Sequence, residues 1–145
     1  MSQLTPTFNI FPQGGRYLGR ALRANESLVD MNLRLNRLMD DGGRMLLEGL
    51  CDTCKIIHLN LSGNLLARQT TIMLMHILAE GNLLLESLDL SCNELTNRDL
   101  HDIAKAMEEN EVIHQYYQPL ICFLVLGFDK HGFAIEQSNW RICCI

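Results

Sequence analysis

Two cysteines and a histidine form the first group of residues that could carry out chemistry. Cys51 and Cys54 make a C-x-x-C pair, and His58 follows four residues later. Thiolate and imidazole groups at this spacing can bind zinc, and a C-x-x-C pair can also exchange disulfides. A closed zinc site needs a second pair of ligands at suitable spacing, and none follows. We therefore predict that these cysteines are small apolar residues near a helix end, with no metal and no cofactor.

Catalysis by the other side chains has little support. The histidines are scattered singly along the chain, at His58, His76, His101, His114 and His131. No nucleophile, base and orienting group can be assigned together around any of them. The glycine pairs at 14–15 and 42–43 recur as helix starts and do not make a phosphate-binding loop. We predict that the protein is not an enzyme and has no small-molecule substrate.

The charge and hydropathy of the chain narrow the class of partner. The 145 residues carry a net charge of −5 without a run of Lys or Arg, which disfavours a nucleic acid or an anionic membrane. The longest apolar run, from Leu120 to Phe128, is about half of the roughly 20 residues that a membrane helix needs. No signal peptide is recognisable, and six cysteines without a sign of export fit a reducing compartment. These features predict a soluble cytoplasmic protein with protein partners.

An internal repeat supplies the elements that position these residues. One pattern, apolar-x-x-apolar-x-L-x-x-N-x-L, occurs in register as "LVDMNLRLNRL", "IIHLNLSGNLL" and "LESLDLSCNEL". Its asparagines, Asn36, Asn64 and Asn93, lie 28 and 29 residues apart. This spacing is at the long end of the leucine-rich repeat period of about 20–29 residues, and the alternation around it predicts one short strand per repeat.

The segments between the strands keep the same period. Positions +7, +10, +11 and +14 after each asparagine form one face of an α-helix. The residues there are Gly43, Leu46, Leu47, Leu50, Thr71, Leu74, Met75, Leu78, Leu100, Ile103, Ala104 and Met107. Each repeat is therefore predicted to be a strand, a turn and a helix of about three turns. Thr96 or Asn97 should cap the third helix, and Asn25, Asn82 and Asn110 should end helices in the left-handed conformation.

The three repeated asparagines have a structural explanation. Backbone groups that are buried without partners, where the chain leaves each strand, cost about 1–3 kcal/mol each. An inward-pointing amide with two donors and an acceptor can satisfy such groups in its own and the adjacent repeat. We predict that Asn36, Asn64 and Asn93 form a ladder inside an α/β leucine-rich repeat solenoid, with parallel strands on the concave side and helices on the convex side.

The pattern weakens before the first full repeat. Residues 13–25 match the following helix at a spacing of 28, which indicates half of an earlier repeat. Polar Gln3 and Thr5 stand where inward strand residues are needed, so residues 1–12 are predicted to be an irregular segment.

The pattern also stops near the C-terminus. Ile113 opens another strand, but Gln118 and Pro119 interrupt it. The repeat domain is therefore predicted to span residues 13–115, followed by a non-repeat apolar tail at 116–145. Ends of this kind would leave the solenoid short and incompletely capped, as in a fragment or variant of a longer one.

Polar residues on the strands and just after them are predicted to line the concave side and to bind a partner protein. They are Asp30, Asn32, Arg34, Arg37, His58, Asn60, Ser62, Ser87, Asp89, Ser91 and Glu94. Arg34 and Arg37 can form bidentate pairs with carboxylates of a partner. The alternative is a solvated sheet face without a partner, but protein binding is the common use of this surface in solenoids.

The repeats also carry a family resemblance. Their period resembles the ribonuclease-inhibitor-like class of leucine-rich repeats, and "NLRLNRLMDDGG", "LSGNLL" and "LDLSCNEL" resemble the dynein regulatory complex subunit 5 (t-complex-associated testis-expressed) family over residues 13–115. The resemblance implies a scaffold in the nexin–dynein regulatory complex, on the axoneme of motile cilia or flagella, with other complex subunits as partners. The family's long N-terminal region has no counterpart here, and the tail replaces its later repeats.

Two other kinds of leucine-rich repeat regulator stay open. One is the repeat region of a nucleotide-binding innate-immune receptor, which shares the period. The other is an activator of a small Ras-like GTPase, which would accelerate GTP hydrolysis, whereas a scaffold would not.

Overall fold

Alternating strands and helices make up the computed structural model, which describes residues 2–4, 9–50, 55–80, 85, 87–108 and 122–124. The elements in chain order are β1 Ser2–Leu4, α1 Pro12–Leu22, β2 Leu28–Asn32, α2 Met39–Leu47, β3 His58–Asn60, α3 Arg68–Glu80, β4 Ser87–Asp89, α4 Asn97–Glu108 and β5 Cys122–Leu124. The five strands form one parallel sheet in sequence order, and each helix packs against the next. This α/β arrangement of a parallel sheet and four helices is compatible with a leucine-rich repeat fold.

The core lies between the sheet and the helices. Met31, Leu59 and Leu88 are inward residues of three successive strands and are at most 2% exposed. They join one buried cluster with helix residues, among them Leu46 and Leu74. Burying each such side chain stabilises the fold by about 1.5–3 kcal/mol. Most of the predicted helix face is thus turned inward, although Met75, Leu100 and Ala104 are only half-buried and Leu50 lies just beyond the end of α2.

The N-terminal segment contains a strand that the sequence prediction of an irregular 1–12 did not include. β1 pairs with β2 in parallel, and Leu4 lies opposite Met31. A strict period of 28 residues would place Gln3 opposite Met31 instead. A one-residue shift, taken up by an irregularity between Ser2 and Gln3, puts the apolar Leu4 on the core side.

The C-terminal tail also contains a strand that was not predicted. β5 pairs with β4, and Phe123 occupies the register position opposite Leu88. Its spacing from β4 is 35 residues instead of 28 or 29, so the repeat pattern did not reveal it. Ile113, where the sequence indicated another strand, lies outside the described residues.

Helices α1 and α2 approach each other through glycine. A Cβ atom on Gly15 would clash with the backbone of Gly42, and one on Gly19 would clash with the carbonyl oxygen of Met45. The absence of side chains there lets the two backbones come into contact. None of the helices in the described residues is long and apolar enough to cross a bilayer.

Candidate functional site

The strand positions that point away from the core form a regular polar surface, which we call the sheet face. Its members are Asp30, Asn32, His58, Asn60, Ser87 and Asp89. The register places Asp30 beside His58 and His58 beside Ser87 in one row, and Asn32 beside Asn60 and Asn60 beside Asp89 in the next. The structure therefore brings together six of the residues that the sequence analysis predicted to line the concave side.

Three charged residues and one histidine stand exposed on or around the sheet. Arg34, Arg37, His58 and Glu94 are exposed, whereas the remaining sheet-face residues are half-buried. Ser62, which was predicted to be available to a partner, is only 3% exposed. Its hydroxyl donates to Asn60 Oδ1 at 2.8 Å, so its polar atom is used inside the protein. The sequence could not show this because the residue lies in the turn after the strand.

The last residue of each strand shapes the turn that follows it. The oxygens of Asn32 and Asn60 accept the backbone N–H two residues later, each at 3.0 Å. Asp89 accepts the N–H of Ser91 in the same way at 2.9 Å. These are Asx turns, in which a short side chain takes the place of a backbone acceptor. This row was predicted only as a binding surface, and its recurrence as Asn, Asn and Asp is the signal that indicates the turns.

The three repeated asparagines point into the protein. Asn36 and Asn64 are 3% and 0% exposed, and Asn93 is half-buried. Asn64 Nδ2 donates to the carbonyl oxygens of Leu33 and Leu61, which lie in adjacent repeats, at 2.8 and 3.0 Å. Asn93 Nδ2 likewise donates to Leu61 and to its own repeat, while its Oδ1 accepts the N–H of Asn64 at 2.9 Å. Each amide therefore connects one turn to the neighbouring one.

One turn departs from this pattern. Asn93 Oδ1 accepts the N–H of Leu66 at 3.0 Å, and Asn36 Oδ1 accepts the N–H of Ile10 at 2.9 Å. Asn64 Oδ1 is buried and has no partner within the described part of the chain. At this place the N–H of Met39 donates instead to the backbone oxygen of Asn64, and Met39 has a φ of +54°. This turn is thus held by a backbone hydrogen bond, and the buried side-chain carbonyl of Asn64 is left without a donor.

A left-handed residue precedes each asparagine. Leu35, Gly63 and Cys92 have φ values of +56°, +65° and +55°. A non-glycine residue in this region costs about 1–2 kcal/mol. The turn geometry therefore prevails over residue preference at two of the three positions. Asn25, in contrast, is not left-handed, and its side chain accepts the N–H of Leu28 at 2.8 Å. Asn82 and Asn110 lie outside the described residues.

Charged side chains connect the helices on the other side of the molecule. Asp40 on α2 accepts the N–H groups of Ala67, Gln69 and Thr70 at 2.8–3.0 Å, so it caps the N-terminus of α3. Burial raises the pKa of Asp40, but the hydrogen bonds from Thr70, Gln69 and Ala67 outweigh it and hold the pKa below its ordinary value.

The next helix pair is joined by an ion pair. Arg68 on α3 donates to Asp99 at 2.9 Å and to Asp102 at 2.7 Å. Asp99 accepts the N–H of Thr96, and its own N–H donates to Thr96 Oγ1 at 3.3 Å, so the two residues form a capping box in which Thr96 is the cap of α4. Burial raises the pKa of Asp99, but Thr96 and Arg68 outweigh it and keep the pKa low.

The candidate metal ligands are not assembled into a site in the described residues. No group of three or more His, Cys, Asp or Glu side chains that could hold a metal ion occurs there. His58, His76 and His101 are exposed and lie on different elements. Cys51 and Cys54, together with His114 and His131, lie outside the described residues.

Comparison with known proteins supports the repeat assignment. No protein-family model matches the chain. Ribonuclease inhibitor from Mus musculus, a leucine-rich repeat protein, is 29% identical over 106 residues, which are 72% of this chain. The chain spans only 23% of that relative. This partial, distant similarity supports a leucine-rich repeat relationship, while the narrower resemblance to the dynein regulatory complex subunit depends on the sequence motifs alone.

Proposed function

We propose that this chain is a non-catalytic protein-interaction module that contacts a partner through the sheet face. The observation that carries the proposal is the in-register pair of polar rows, bordered by exposed Arg34, Arg37 and Glu94. The paired strands fix the backbone of the two rows, so that binding mainly has to order the side chains. The similarity to ribonuclease inhibitor supports a protein as the ligand.

The charges of this surface define what a partner must offer. Arg34 and Arg37 favour two carboxylates, because guanidinium forms planar bidentate pairs with them. Asp30 and Glu94 add negative charges nearby, so the partner surface should present both signs. Exposed pairs of this type mainly give specificity and association rate.

We further propose that the partner is a subunit of the nexin–dynein regulatory complex and that the chain acts as a scaffold on the axoneme of motile cilia or flagella. The support for this assignment is the order of the N-L-R-L-N…D-x-G-G, G-N-x-L and L-S-C-N segments at Asn32–Gly43, Gly63–Leu66 and Leu90–Asn93.

Affinity capture from ciliary extract tests the proposal. The immobilised chain should retain axonemal proteins, and Arg34→Glu or Arg37→Glu should each reduce the retained amount several-fold. Arg98→Glu is the matched control because it reverses one charge on α4, where the arginine side chain is 82% exposed. Equal retention by the Arg34, Arg37 and Arg98 variants would exclude the sheet face as the contact. Retention of no ciliary protein by any form would exclude the axonemal assignment.

A second candidate function is direct binding to a ribonuclease, which the name of the mouse relative favours. The chain covers a small part of that protein, so its share of any such contact has to be measured. A ribonuclease assay with increasing amounts of the chain separates the two candidates. Stoichiometric inhibition supports the ribonuclease candidate, and unchanged turnover supports the scaffold.

A further inference from the structure

A groove between α1 and α2, in the helix layer and away from the sheet face, is lined by several positively charged side chains. It has a volume of about 360 Å³, and both of its walls are helices. Four arginines line it: Arg16, Arg20, Arg23 and Arg44. Residues 1–25 contain three of these arginines and no acidic residue, in a chain whose net charge is −5. The groove is therefore a local basic site on an acidic protein.

The floor of the groove is backbone. Gly19 and Gly49 line it, and a Cβ atom on either would clash with the facing chain. Because the chains touch at glycines, no side chain projects from these two positions into the groove.

The groove already contains one carboxylate. Arg44 pairs with the side chain of Glu48, and Arg23 donates to the backbone oxygen of Glu48 at 3.2 Å. Within the described residues, Arg16 and Arg20 make no ion pair. Two guanidinium groups are thus left to bind an external anion, beside two that are occupied by Glu48.

We propose that this groove binds an acidic polypeptide segment with carboxylates at alternate positions. Arg16 and Arg20 lie one helical turn apart, about 6 Å along α1. Alternate side chains of an extended chain are about 6.6–6.8 Å apart, so two glutamates can each meet one guanidinium.

Peptide binding to the full chain tests this assignment. The probe is a fluorescein-labelled peptide, GEAEAEG, and its matched control is GQAQAQG. Saturable binding of the glutamate peptide is expected, with affinity lowered about tenfold or more by Arg16→Gln/Arg20→Gln, because two charge-assisted pairs are lost. The same change on the sheet side, Arg34→Gln/Arg37→Gln, should alter the affinity less than about twofold.

Three results would overturn the assignment. Equal weakening by the two double variants would indicate diffuse charge attraction, and equal affinity for both peptides would exclude carboxylate recognition. Tighter binding of the same peptide with phosphoserine in place of glutamate would identify a phosphate site instead. All four arginines that are replaced are exposed, so circular dichroism should show unchanged secondary structure. The outcome is independent of capture from ciliary extract, because that experiment probes the opposite layer.

Discussion

Asn64 shows how a single side chain joins two repeats. Its Nδ2 group donates to carbonyl oxygens of Leu33, Leu61 and Ser62 at 2.8–3.2 Å. Each of these oxygens also accepts a second hydrogen bond, from Asn36 Nδ2, Asn93 Nδ2 and the N–H of Leu35 respectively, so the Asn64 amide is part of a shared network that joins the repeats. The stability of the sheet therefore depends on this side chain more than its small apolar area suggests.

Replacement of Asn64 by Ala should lower the free energy of unfolding by about 1–3 kcal/mol, because the hydrogen bonds that its buried amide makes to two repeats are lost. Urea denaturation followed by circular dichroism measures the change. Asn9→Ala is the control, since Asn9 is exposed. A loss at Asn64 that is no larger than at Asn9 would show that the ladder does not stabilise the fold.

At the residue scale, the sequence revealed the asparagines because one residue type recurs at one spacing. It did not reveal that the residue before each asparagine has a positive φ. Leu35 and Cys92 have no preference for positive φ, and only Gly63 indicates this conformation. The buried hydroxyl of Ser62 was missed for a related reason. Its hydrogen bond depends on the local turn, which the alternation pattern does not describe.

Neighbouring helices are connected by charged groups at equivalent places. Asp40 and Arg68 are 28 residues apart, and each reaches the first turn of the next helix. Asp40 takes the unpaired N–H groups of α3, and Arg68 contacts the carboxylate that closes the cap of α4. Asp40 and Arg68 have opposite charges, so both residues join neighbouring helices but by different interactions. Asp40 accepts backbone N–H groups, and Arg68 forms an ion pair.

Asp40→Ala should destabilise the protein by about 1 kcal/mol at pH 7, because the cap of α3 is lost. The folded-state pKa of Asp40 is below its ordinary value, so its contribution is present above that ordinary value and is lost as the pH falls through the folded pKa. The difference between wild type and variant should therefore shrink in acid. Urea denaturation at several pH values measures it, with Asp41→Ala as control. A difference that stays constant into acid would contradict the capping role.

At the element scale, the sequence pattern predicted the helices but not the hydrogen bonds that connect one helix to the next. The inward face at +10 after each asparagine predicted Leu46, Leu74 and Ile103, which are all buried. The cap that Asp40 provides crosses between helices, and such a contact depends on packing distance instead of sequence spacing.

The whole molecule extends its sheet beyond the regular repeats at both ends. β1 is shifted by one residue from the strict period, and β5 follows β4 after 35 residues. Parallel pairing requires only that inward and outward positions match, so an insertion or a slip in the connection does not prevent another strand from joining. A fixed-period search could therefore predict the three central repeats but not these two strands.

The two faces of the molecule have separate chemistry. The sheet face offers polar and acidic side chains in rows and is bordered by Arg34, Arg37 and Glu94, while the groove between α1 and α2 carries mainly positive charge. Because the core separates the strand layer from the helix layer, occupation of one surface leaves the other accessible. If the sheet face and the groove both bind as proposed, the chain can hold two different polypeptides at once.

Disulfide formation between neighbouring strands tests most directly that the sheet face consists of parallel strands in this register. Asp30→Cys/His58→Cys should cross-link under mild oxidation, because paired strands lie about 4.8 Å apart, within the span of a disulfide. Asp30→Cys/Asn60→Cys should not, because two residues along the strand bring the separation to about 8 Å, beyond the 7 Å limit. Mass spectrometry of chains whose native cysteines are replaced by serine identifies the products. Cross-linking of the second pair but not the first would contradict the account.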